Sequence, residues 1–129
     1  MTQALKRIAY VEDEADIRTV AQMALQMVGG YEVSLYASGE EALQKLPLSM
    51  PQLLLMDVMM PGQDGPTTLG ELRKLPACAD LPVIFMTAKA QQSEIAYYKS
   101  LGALDVITKP FDPMALSATV ERIWTAHQS

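Results

Sequence analysis

The sequence predicts an α/β protein: one sheet of five parallel strands with helices on both faces. Three observations predict it. Apolar segments of strand length alternate five times with segments of helical periodicity. The run Leu53-Leu54-Leu55-Met56 is apolar without interruption, as in a parallel strand covered on both faces. Polar or charged residues (Glu12, Asp13, Asp57, Thr87 and Lys109) recur where the strand segments end, and open parallel sheets collect their chemistry just beyond those carboxyl ends. Such alternation implies right-handed crossovers and a three-layer sandwich.

Arg7-Ile8-Ala9-Tyr10-Val11 forms the first strand, ending in Glu12-Asp13-Glu14. Ile17, Val20, Ala21, Ala24 and Val28 give the next segment its apolar stripe, and Gly29-Gly30 ends it. Glu32 to Tyr36 is the second strand. Ser38 then caps a helix, with Glu41 completing a capping box, and Pro47 is expected to stop it. The third strand runs into Asp57 and a Pro61-Gly62 turn. A helix follows from about Gly65 to Leu75, with Asp64 as cap and Pro66 in its first turn. Leu81 to Thr87 is the fourth strand, Gln91 to Leu101 the fourth helix, and Asp105 to Thr108 the fifth strand. Asp112-Pro113 opens the last helix, whose stripe is Leu116, Val120, Ile123 and Trp124. A flavodoxin-like order 2-1-3-4-5 would set strands one, three and four side by side.

The 129 residues are half hydrophobic, enough for one packed core, and neither a linker nor a low-complexity stretch divides them, so residues 1–129 read as a single domain. Ten basic against fifteen acidic residues, with no Lys/Arg cluster, argue against direct nucleic-acid binding or a polybasic membrane surface. The stretch Met1 to Arg7 lacks a leader's apolar core, and no apolar run reaches membrane-spanning length. A lone cysteine, Cys78, forms no internal disulfide, which fits a reducing cytoplasm. Cys78 reads as an ordinary loop residue. With His127, among the last three residues, as the only histidine, a histidine-based triad is not expected.

The predicted strand order gathers three carboxylates, a hydroxyl and an ammonium around one crevice. Two carboxylates about 5 Å apart repel by roughly 3 kcal/mol at an effective dielectric near 20, so the cluster wants a cation. Oxygen-only donors favour Mg²⁺. Lys109 can pair with Asp57 and later hold a phosphoryl oxygen; Thr87 can donate to another, and the backbone amides of Val58 and Ala88 are further donors. These parts suit in-line phosphoryl transfer to a carboxylate. Taken singly, each has an ordinary explanation: Asp13 or Glu14 as a helix cap, Asp57 as a turn former, Thr87 as a strand-end hydroxyl, Lys109 as a solvated lysine. Four suitable residues at successive strand ends are hard to ascribe to capping.

The acidic pair Glu12-Asp13, the segment Met56-Asp57-Val58-Met59-Met60-Pro61-Gly62-Gln63-Asp64-Gly65, the triplet Thr87-Ala88-Lys89, and Gly102-Ala103 followed by Thr108-Lys109-Pro110-Phe111 stand in a familiar order. Over nearly its whole length the chain resembles the receiver domains of bacterial two-component response regulators. The resemblance implies that Asp57 accepts a phosphoryl group from the phosphohistidine of a histidine kinase or phosphotransfer protein. It implies that Asp13, Asp57 and the Met59 carbonyl ligate Mg²⁺, with Glu12 acting through water, and that Thr87 and Lys109 bind the phosphoryl group. A cis Lys109-Pro110 bond is implied as well, as is a cytoplasmic signalling domain rather than an enzyme acting on other substrates. Phosphorylation would reshape the surface of the fourth helix, fifth strand and fifth helix for an effector, an output domain or a second copy. No output domain is visible in the 129 residues.

One position departs from the pattern. Receivers usually carry Tyr or Phe three residues before the lysine, where the ring turns inward as the threonine moves; here Val106 stands there, so the switch pair is Thr87 and Val106. Readout is then expected to be weaker or to use other groups, such as Tyr97 or Tyr98. Three competitors remain. A phosphatase of the haloacid dehalogenase type needs a second acid where Met59 stands. A flavin site needs a phosphate loop where Glu12-Asp13-Glu14 stands. A receiver used only for docking or dimerisation would not need the intact acids.

Overall fold

The computed structural model describes residues 3–128; Met1 and Thr2, part of the stretch read as lacking a leader core, and Ser129 lie outside the described residues. Five strands, β1 (Arg7–Val11), β2 (Glu32–Tyr36), β3 (Leu53–Asp57), β4 (Val83–Thr87) and β5 (Asp105–Thr108), form one parallel sheet in the order β2-β1-β3-β4-β5. The predicted order is therefore correct. All five residues of β3 and all five of β4 are buried, as central strands covered on both faces require.

Alternation along the strands sorts side chains into two cores. On one face Ile8, Tyr10, Leu55, Ile84 and Met86 pack with Ala21, Leu25, Leu116, Val120, Ile123 and Trp124, the inward residues of α1 (Ala15–Met23), its extension, and α5 (Leu116–Gln128). On the other, Ala9, Leu54, Met56, Val83 and Phe85 pack with Ala42, Leu46, Leu69 and Leu72 of α2 (Gly39–Ser49) and α3 (Gly65–Arg73). The fourth helix, α4 (Gln92–Ser100), lies on this second face and contains no fully buried residue. Tyr98 is its half-buried contact with that core.

Local chemistry explains most boundaries. Ser38 Oγ accepts from Glu41 N at 3.1 Å, while Glu41 Oε1 accepts from Ala37 N at 2.7 Å, closing the expected capping box one residue earlier than its usual form. Asp64 Oδ1 accepts from Thr67 N at 2.8 Å and caps α3, with Pro66 in the first turn. Pro47 does not stop α2 as expected. The helix continues to Ser49, because Met50 N reaches Leu46 O at 2.9 Å and Tyr36 Oη bonds Ser49 Oγ at 2.8 Å, tying the last turn to β2.

Other differences are physical too. The first helix ends in a π-turn, Ala24–Val28, where Ser117 Oγ donates to Ala24 O at 2.8 Å and Gly29 N reaches the same carbonyl at 3.3 Å. Val28, expected inward, is exposed in this turn, and Val20, in the regular helix ahead of it, is exposed as well. The last helix starts at Leu116 rather than at Asp112-Pro113; Asp112 instead organises the preceding turn, accepting from Met114 N and Leu116 N. Cys78 is buried in the 3₁₀ turn Pro76–Cys78 and belongs to the core rather than to an open loop, and burial pushes its thiol pKa up. Among the described residues no helix is long and apolar enough to cross a membrane.

Candidate functional site

The parallel pairing of β1 with β3 and of β3 with β4 brings three strand ends level with one another. Glu12 follows β1 immediately and is fully buried, Asp57 ends β3, and Thr87 ends β4. Lys109 N donates to Thr87 O at 2.8 Å, which fixes the residue after β5 against the end of β4. The side chain of Lys109 then crosses the crevice: Nζ lies 2.9 Å from Glu12 Oε1 and 3.0 Å from Asp57 Oδ2. The peptide bond that follows, Lys109-Pro110, is cis.

Glu12, Asp13 and Asp57 each offer a carboxylate oxygen within 4.8 Å of the others. Ligands at about 2.1 Å from an octahedral Mg²⁺ stand about 3 to 4 Å apart, so this all-oxygen set fits a hard divalent ion held directly or through water. Burial pushes Glu12 up to about 7; Asp57 adds to the rise, and hydrogen bonds from Lys109 and from Glu14 N oppose it. Lys109 is itself held in its charged form: its bonds to Glu12 and Asp57 raise its pKa against the pull of burial. One ammonium thus serves two carboxylates, and a third remains for a further cation.

The buried Thr87 hydroxyl accepts from Lys89 N at 3.2 Å, which leaves its own proton for another acceptor. Ala88 stands exposed just beyond β4, and Met59 is 77% exposed at the mouth of the crevice. One expected donor is corrected: Val58 N is committed to Met86 O at 3.0 Å, in continuation of the sheet ladder, and is not available to a ligand. Val106 pairs in register with Phe85 and is half-buried in the second core, away from the carboxylates.

Sequence reasoning passed over three residues. Arg18 Nη1 donates to the carbonyl of Glu12 at 2.6 Å and anchors the first acidic loop; a cation six residues after an acid gave little signal. Gly65 packs so tightly that a Cβ there would lie 2.6 Å from the Asp57 carbonyl oxygen. Tyr10 is fully buried, and its hydroxyl is the only buried side-chain polar atom without a hydrogen-bond partner among the described residues. Burial pushes that phenol up, and Glu12 and Asp57 add to the effect. A lone tyrosine inside an apolar strand was the available clue.

A family model described as the response regulator receiver domain matches residues 8–121. The chain is 41% identical over 118 residues to a probable transcriptional regulator, ycf27, of Cyanophora paradoxa, covering 92% of this chain and 48% of that protein. It is 37% identical over 118 residues to the alkaline phosphatase synthesis transcriptional regulatory protein PhoP of Bacillus subtilis, again covering 92% and 48%. The chain therefore spans about half the length of these relatives. Among solved structures, chemotaxis protein CheY4 of Vibrio cholerae superposes with a TM-score of 0.84 at 29% identity, covering 93% of this chain and 99% of that one. A response regulator from Chloroflexus aurantiacus does so with 0.82 at 34% identity, covering 95% and 99%.

Proposed function

The chain belongs to the response regulator receiver domains, and from that premise we propose that Asp57 is its phosphoacceptor, serving a two-component signalling pathway. The observation that carries this reading is the position of Lys109 Nζ, 2.9 Å from Glu12 and 3.0 Å from Asp57, beside three carboxylates gathered at adjoining strand ends. The donor is a phosphohistidine on a histidine kinase or phosphotransfer protein. An Asp57 oxygen attacks the phosphorus in line, the N–P bond breaks as the O–P bond forms, and the donor ring, protonated on its other nitrogen, leaves as neutral imidazole with the electron pair.

Asp13 and Asp57, with the Met59 carbonyl, would hold Mg²⁺, and Glu12 would act through water. An ion held there would supply charge neutralisation for the incoming phosphoryl oxygens. Lys109 then exchanges a carboxylate for a phosphoryl oxygen, while Thr87 Oγ and the amide of Ala88 donate to others. The domain acts as a signalling element, assisting only its own phosphorylation and dephosphorylation. Residues 1–129 work as one receiver unit in the cytoplasm, and the surface of α4, β5 and α5 carries the signal to an effector, an output domain or a second copy. The exposed Met59 at the position where a phosphatase would hold its general acid leaves the competing hydrolase reading without support.

Incubation with Mg²⁺ and a small acyl phosphate, followed by intact-mass measurement, tests the proposal. Wild type should gain one phosphate and Asp57→Asn none. A gain that persists in the Asn variant places the acceptor elsewhere, and no gain in either chain leaves a docking module.

A further inference from the structure

Phe85 occupies a pivotal place: it lies two residues before Thr87 on the same face of β4. A Cβ on Gly65, the first residue of α3, would lie 3.0 Å from Phe85 Cε1 and 2.6 Å from the Asp57 carbonyl oxygen, so the ring sits directly beneath the loop that leads out of Asp57. That loop is closed by Gly65 N donating to Val58 O at 2.8 Å. The Phe85 ring also meets Tyr98 in a T-shaped contact, with centroids 5.3 Å apart and planes at 65°. The neighbour of Phe85 on β5 is Val106, which brings no ring of its own, and its neighbour on β3 is Met56.

Tyr98 is also the contact of α4 with the second core, beside the Lys99–Asp105 ion pair at 3.9 Å that ties the helix to β5. That helix has no fully buried residue; Tyr98 packs on the second core, and its carbonyl accepts from Ala103 N at 3.1 Å, binding the end of α4 to the start of β5. The phenol stands near Asp64, the cap of α3, whose charge joins burial, Glu94 and Tyr97 in raising its pKa. Tyr98 therefore joins Phe85, the ring beneath the Asp57 loop, to the most weakly docked helix.

We infer that Tyr98, acting through the ring of Phe85, is a positioning residue for the loop that carries Asp57, and that this T-shaped pair carries the state of Asp57 to α4. The inference rests on Asp57 being the phosphoacceptor. When a phosphoryl group draws on the Thr87 hydroxyl, the end of β4 and the loop above Phe85 adjust, and the ring contact transmits the adjustment to Tyr98. Linkage makes the effect reciprocal: loosening Tyr98 must also alter how readily Asp57 reaches its phosphorylated state.

The test compares wild type with Tyr98→Phe, which keeps the ring, and with Tyr98→Leu and Tyr98→Met, which keep bulk without it. Each chain is treated with Mg²⁺ and acyl phosphate, intact mass is followed in time, and amide shifts of residues 92–100 are recorded before and after. Tyr98→Phe should match wild type within about twofold in both readouts, whereas the Leu and Met variants should take up phosphate about fivefold more slowly or worse. Once phosphorylated, they should show α4 shift changes cut to a small fraction of the wild-type changes. If Tyr98→Leu fails to fold, Tyr98→Met decides. Leu or Met variants that gain phosphate at the wild-type rate with full α4 response overturn the inference while leaving Asp57 as the acceptor. No mass gain in any chain overturns both.

Discussion

The two sides of the strand-end crevice are held together by different means. On the β1–β3 side, Glu12 and Asp57 are buried charges tied to one lysine at 2.9 and 3.0 Å, and Arg18 braces the loop from below. On the β4–β5 side, α4 rests on the sheet through a half-buried tyrosine, and its neighbour Tyr97 is 55% exposed. The difference is one of stored cost. Buried like charges destabilise the ligand-free chain and are relieved by a cation. A helix with little apolar burial is inexpensive to shift, and such elements come from the low end of local stability. A receiver needs both: a strained end that responds strongly to ligand and a loosely held end that can follow.

The sharpest way to break this contrast is to remove the cation of the charged side. Lys109→Met leaves Glu12 buried without its main partner, so at pH 8 the chain should lose about 3 kcal/mol in urea denaturation. At pH 5 the loss should be far smaller, because Glu12 takes up a proton instead. Phosphoryl uptake from the acyl phosphate should fall by about 10² to 10³. Equal losses at both pH values would show that Lys109 matters for its packing and not for its charge.

A second effect needs no substitution. Glu12 titrates at about 7 in the fold, above its ordinary carboxylate value, so between the two the folded chain binds the proton more tightly than the unfolded chain. The contribution of Glu12 to stability is then full below its ordinary value and is lost as pH rises through about 7, by about 3 kcal/mol at most. Glu41, whose pKa its bonds to Ala37 N and Lys45 hold below the usual range, has the opposite sign, since its contribution is lost as pH falls toward its own pKa; the interval from pH 5 to pH 8 isolates Glu12. Millimolar Mg²⁺ should flatten the slope by stabilising the ionised cluster. A slope indifferent to Mg²⁺ would remove the ion from this side of the crevice.

How far the sequence foretold this arrangement depends on which interactions set each part. The alternation and the polar residues at strand ends were local signals, and the gathering of Glu12, Asp13, Asp57, Thr87 and Lys109 followed once the flavodoxin-like order was assumed for them. What escaped was set by contacts between distant segments. Ser117 of α5 draws on Ala24 O and turns the end of the first helix into a π-turn, and Tyr36 of β2 helps α2 run past Pro47. Val58 had the right position for a donor, but the ladder to Met86 claimed its N–H. Tyr98 was one of two adjacent tyrosines, and only packing against Phe85 distinguishes it from Tyr97.

The smallest effect probes the boundary between the two sides within a single helix. The first turn of α3 belongs to the charged side, since a Cβ on Gly65 would meet Asp57 O at 2.6 Å, Phe85 Cε1 at 3.0 Å and Val58 Cα at 3.0 Å. Two of those atoms are backbone and cannot swing away, so Gly65→Ala should cost about 1 to 3 kcal/mol and slow phosphoryl uptake by displacing the Asp57 loop. Five residues on, Gly70 is exposed and a Cβ there meets nothing within 4 Å. Gly70→Ala should instead stabilise the chain by about 0.5 to 1 kcal/mol, through helix propensity alone, and leave uptake unchanged. Opposite signs from the same substitution in one helix would locate the edge of the strained region between residues 65 and 70. If Gly70→Ala also slowed uptake, α3 would move as a unit with the Asp57 loop, and the division between a charged end and a compliant surface would have to be redrawn around the whole helix.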